Sequence, residues 1–137
     1  QYTAAKLLAN ATAFAGCWAA LTIAVVAVID ASALPNGTLP FLLAVLVYLL
    51  MYYCVLLAVG LASDSPGWHA TVITIGNVSV NFLIPWLWSR PSIYQNRNSP
   101  IGVWSGDIVA VLAVEIAVAA AALGLGLYVR SRRTDFV

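Results

Sequence analysis

The chain has 137 residues, of which 63% are hydrophobic and 8% charged, with six Lys+Arg against five Asp+Glu and a mean hydropathy of +0.96. A soluble domain carries roughly 25% charged residues, so this composition cannot cover a water-facing surface. It excludes an ordinary soluble enzyme, a disordered chain and a nucleic-acid binder relying on a basic patch, and leaves a polytopic membrane protein with one transmembrane domain over residues 1–137.

A spanning helix needs about 20 mainly apolar residues. The first candidate covers residues 7–29, between Lys6 and Asp30. The chain starts at Gln1 rather than Met, which trimming, processing or a missing start would each explain. The run lacks the pattern of a signal peptide and is too long for one, so it reads as a true span. It carries Gly16, Ala20 and Ala24 at spacings of four, a stripe that allows close helix approach in lipid. Pro35-Asn36-Gly37 then marks a turn.

The second span, residues 40–61, contains no charge and begins with Pro40, which suits a first helical turn because its missing N–H would have no partner there. It is built of Leu, Val, Tyr and Met with almost no small residues before Gly60. That bulk predicts a helix facing lipid or a bulky partner surface. The third span, residues 66–88, opens on Ser65-Pro66 as N-cap and first helical residue and closes at Arg90-Pro91. A polar loop over residues 89–105 follows, too small for an active site of its own but able to cover a partner or line an entrance. The fourth span, residues 108–129, opens on Gly106-Asp107 and carries a second small-residue stripe, Ala113, Ala117 and Ala121. The four spans predict an all-α, four-helix transmembrane bundle with up-down-up-down topology.

Lys6, Arg130, Arg132 and Arg133 fall on one side, Arg90 and Arg97 on the other, which favours both termini in the cytoplasm. The sequon Asn36-Gly37-Thr38 would then lie outside. Tyr2, Trp68, Trp86, Trp88, Trp104 and Tyr128 fall near the boundaries, where amphipathic rings are favoured. Trp18, Tyr48, Tyr52 and Tyr53 fall deeper and require hydrogen-bond partners.

Few groups inside the bilayer carry chemistry. Thr74, Asn77 and Asn81 lie at i, i+3 and i+7, on one face of the third helix. An unpaired amide in hydrocarbon costs several kcal/mol, so this face must meet protein or water, as interhelical glue or as the wall of a path. Glu115 lies about 12 Å from Asp107 along the axis at 1.5 Å per residue. A bare carboxylate there is costly, so protonation or a partner is expected. Asn81 lies at a similar depth, so the sequence predicts that the two share a hydrogen bond or a cavity.

His69, the only histidine, reads as an interfacial polar residue. A haem held with a second axial ligand from a partner chain is the alternative, since imidazole is a common axial ligand. Cys17 and Cys54 read as small buried hydrophobes, with neither a CxxC nor a metal-ligand spacing. No nucleophile elbow, zinc-protease motif or phosphate-binding loop is present.

These features predict a non-catalytic membrane subunit, with no cofactor beyond surrounding lipids, that packs with other integral membrane subunits of respiratory or transport machinery. A homo-oligomeric transporter or channel built from copies of the chain and using Glu115, Asn77 and Asn81 is a second reading. A structural protein of a coat or vesicle is a third.

Overall fold

A computed structural model describes residues 2–30 and 35–134, with side chains over residues 9–28 and 35–132. Gln1 lies outside the described residues, as do the side chains of Tyr2, Lys6 and Arg133. The elements are α1 (Tyr2–Asp30), a 3-10 turn (Asn36–Thr38), α2 (Leu39–Ala62), α3 (Pro66–Ser89), a one-turn α4 (Pro91–Tyr94) and α5 (Gly106–Thr134). Helices α1, α2, α3 and α5 are each long and apolar enough to cross a membrane. The chain is an all-α, four-helix bundle and a multi-pass membrane protein.

Local chemistry sets the breaks. Pro40 and Pro66 lie in the first turns of α2 and α3, where no intrahelical N–H bond is lost. Ser65 stands at the N-cap of α3 but makes no side-chain cap bond; its carbonyl instead accepts from the His69 N–H and from His69 Nδ1, at 3.5 and 2.9 Å. Pro85 is accommodated inside the last turns of α3. No Gly or Pro follows Val129, and α5 runs on through Arg130 to Thr134.

The helices are not equal partners. α2 is the hub, and its longest interface is with α5. The expectation that α2 faces lipid or a bulky partner surface is therefore corrected: it packs against three helices of its own chain. Its aromatic and branched side chains fill the spaces between three neighbours, while Ala44 and Ala58 supply the close approaches. α1 and α3 lie antiparallel to α2, as short connections require. α5 runs parallel to it: Ile108 joins Phe41 and Ala44 in one buried cluster at the start of both helices, and Gly126 meets Ala58 near their ends.

The contact seam on α5 passes through Ile108, Leu112, Glu115, Ala119, Ala122 and Gly126, all buried or half-buried. Steps of four and three alternate along it, the 3.5-residue repeat of helices packed side by side. A Cβ on Gly126 would lie 2.8 Å from Ala58 Cα, so only glycine permits this approach. The predicted small stripes are not the faces that pack within the chain. Gly16, Ala20 and Ala24 on α1 and Ala113, Ala117 and Ala121 on α5 are exposed. Alanine occurs on every side of these helices, so the stripe does not select the packed face.

α3 meets α2 through phenols. The Tyr48 hydroxyl lies against Ser79 Oγ and the Gly76 carbonyl, and the Tyr52 hydroxyl donates to the Ile73 carbonyl at 3.2 Å. The Tyr52 ring occupies the space a side chain at residue 76 would need, which is why glycine stands there. α1 is pinned by two aromatics. Trp18 Nε1 donates to the Leu46 carbonyl at 2.9 Å, and Phe14 stacks on Tyr53 with centroids 3.8 Å apart. Three of the four deep aromatic polar groups thus find the partners expected of them, whereas the buried Tyr53 hydroxyl has none among the described residues.

Residues 89–105 fold back on the bundle end rather than extending from it. The Gly37 N–H donates to the Ser99 carbonyl at 2.9 Å, Asn36 Nδ2 to the Pro100 carbonyl at 2.8 Å, and Thr38 Oγ1 to the Arg97 carbonyl at 3.2 Å. Ile93 from α4 enters the cluster with Phe41, Ala44, Leu87 and Ile108. Backbone polar groups that would otherwise need water are thereby paired within a cap.

Candidate functional site: an intramembrane groove and an outward polar face

The cap organises the mouth of a groove of about 470 Å³ running between α3 and α5 over α2. At its mouth the Ser92 hydroxyl donates to Asp107 Oδ2 at 2.6 Å, and the Arg90 guanidinium lies 4.2 Å over the Trp86 ring. Leu83, Trp86, Val111 and Val114 form apolar walls, with Met51 and Tyr48 contributed by α2.

Glu115 lines the deep end. The seam geometry explains its burial: one heptad beyond Ile108, the position faces α2. Glu115 is 4% exposed, the single buried charged side chain among the described residues. Neither carboxyl oxygen has a hydrogen-bond partner among those residues. A buried ion without compensation costs several kcal/mol, so the group requires a proton or a ligand.

The predicted union of Glu115 with Asn81 is not made. Asn81 is exposed, its Nδ2 donates to the Asn77 carbonyl of its own helix at 2.7 Å, and it does not line the Glu115 groove. The two residues share a depth but not a direction. α3 turns Gly76, Ser79, Leu83 and Leu87 inward; at about 100° per residue, Thr74, Asn77 and Asn81 point away. All three are exposed, and the Thr74 hydroxyl donates to the Ala70 carbonyl at 2.9 Å. The three polar residues share one face of α3, as their spacing predicts, but that face and Glu115 are not brought together.

His69 is half-buried at the α2–α3 turn. Its Nδ1 faces the Ser65 carbonyl, and its Nε2 lies 3.4 Å from the point a Cβ on Gly60 would occupy. This geometry ties the ring to the turn. Among the described residues no group of three or more His, Cys, Asp or Glu side chains is arranged to hold a metal ion. Of the two cysteines, Cys54 is buried as the sequence suggested and Cys17 is exposed. Sequence reasoning missed Asp107, Arg90 and Ser92 as a mouth cluster; the signal was the register of the cap, which brings residues 15 apart together.

Compared with known protein families, characterised proteins and solved structures, the chain matches none.

Proposed function

We propose that this chain is a non-catalytic integral membrane subunit with both termini in the cytoplasm, which assembles laterally with other membrane subunits of respiratory or transport machinery. The observation that supports this reading is the outward Thr74–Asn77–Asn81 face. Asn81 uses one amide proton within its own helix, and its carbonyl and the exposed Asn77 amide are left pointing away from the bundle. In hydrocarbon such groups are costly, and a neighbouring transmembrane helix offering polar side chains satisfies them at about 0.6–2 kcal/mol per contact. The apolar remainder of the surface agrees with this, including Ile73, Val78 and Phe82 beside the stripe, all exposed.

Native mass spectrometry of the chain released from its own membrane in mild detergent tests the reading. Masses of the chain with different membrane proteins are the expected result. The chain alone refutes it. A closed set of identical copies supports instead the homo-oligomeric transporter, a second reading favoured by the buried, unpartnered Glu115. In that reading Glu115 acts without Asn77 and Asn81 of the same chain.

A further inference from the structure

We propose that the groove between α3 and α5 is a binding site for a lipophilic organic monocation, whose charge is met by Glu115 and whose apolar body lies against Leu83, Trp86, Val111 and Val114. The volume of about 470 Å³ falls within the roughly 300–1,000 Å³ of small-molecule sites. The ionisable groups facing the groove are Tyr48, Arg90, Asp107 and Glu115. At the mouth Asp107 accepts from Ser92, and Arg90 lies over the Trp86 ring with its buried Nε unpartnered among the described residues, so the charges there sum to zero and leave Glu115 as the excess. Of the two acids that line the groove, Glu115 at the deep end is the one without a hydrogen-bond partner among the described residues.

Charge complementarity selects the occupant. An anionic amphiphile anchored at Arg90 would lay a tail over Glu115 and leave the acid unmet. A bare metal ion of the Ca²⁺ class needs six to eight oxygens, and the side chains lining the groove offer them only from Tyr48, Asp107 and Glu115. A single diffuse positive charge on an apolar frame needs one carboxylate and apolar walls, which is what stands here. The carboxyl oxygens are sealed beneath the groove surface; a change of staggered rotamer about the Glu115 side-chain bonds turns them toward the ligand. Binding presupposes neither reading of the protein's role, since a subunit can hold such a ligand as well as a carrier can.

The test uses tritiated tetraphenylphosphonium and the full chain in detergent, read by scintillation proximity. The expected result is saturable binding at one site per chain. It weakens at least about tenfold in Glu115→Gln, the loss of about 1.4 kcal/mol of interaction, and is unchanged in Asn81→Ala, which lies outside the groove. Val111→Trp, which fills the groove and keeps the acid, must weaken binding too, so the test does not rest on the folding of one variant. No saturable binding to the wild type, equal binding by a folded Glu115→Gln protein, or unaltered binding by Val111→Trp overturns the proposal.

Discussion

Helices α3 and α5 both carry polar groups at the middle of the bilayer, and they present them in opposite directions. On α5, Glu115 stands in the seam against α2 and is almost wholly enclosed. On α3, Asn77 and Asn81 stand on the side turned away from α2 and are exposed. The acid is thus a feature of the chain's own interior, whereas the amides belong to its outer surface. One side of the bundle holds a groove, and the outer side of α3 carries an exposed polar face.

The difference can be broken from the inside first. Gly126→Leu forces a side chain into the Ala58 backbone and should destabilise the α2–α5 pair by about 3 kcal/mol, the upper range for overpacking. A fall in the detergent melting midpoint checks this, with Gly16→Leu on the open side of α1 as an unchanged control. Replacing the enclosed acid works in the other direction. Glu115→Leu removes an uncompensated polar group and should raise stability by about 1–2 kcal/mol, because well-packed apolar replacements of buried charge are often stabilising. A lower melting midpoint would mean that the carboxyl has a partner within the folded chain.

Trp18→Phe removes the bond to the Leu46 carbonyl and keeps the ring. It should cost about 1 kcal/mol, localised to α1, and faster amide exchange in α1 with unchanged exchange in α5 checks it. The smallest effect sharpens the outward half of the comparison. Asn77→Leu with Asn81→Leu should change the stability of the isolated chain by less than about 0.5 kcal/mol, as surface substitutions do. A large loss would place the amides inside the bundle after all.

The spans were legible because hydropathy, Pro40, Pro66 and Pro91 mark lengths and ends, and these are one-dimensional properties. Direction around each helix was not legible. Ala and Gly populate several sides of α1 and α5, so the stripe through Ala113, Ala117 and Ala121 looks as suitable for packing as the true seam one or two residues away. α2 reads as an outer helix because its side chains are large, yet that size is what lets one helix fill gaps among three neighbours. Glu115 and Asn81 were found by type and matched by depth, but their pairing depended on the rotation of α3, which Gly76 and the Tyr48 and Tyr52 phenols fix through contacts distant in sequence. The cap was hidden for a similar reason, since its bonds join the turn at residues 36–38 to carbonyls about 60 residues away.

The most direct trial of lateral assembly is to express wild-type and Asn77→Leu/Asn81→Leu chains in the native membrane, release both in mild detergent and compare their masses intact. The wild type is expected to leave the membrane bound to other membrane proteins, and the double variant, folded and equally abundant, to leave it alone. Identical complexes from both chains would contradict this expectation.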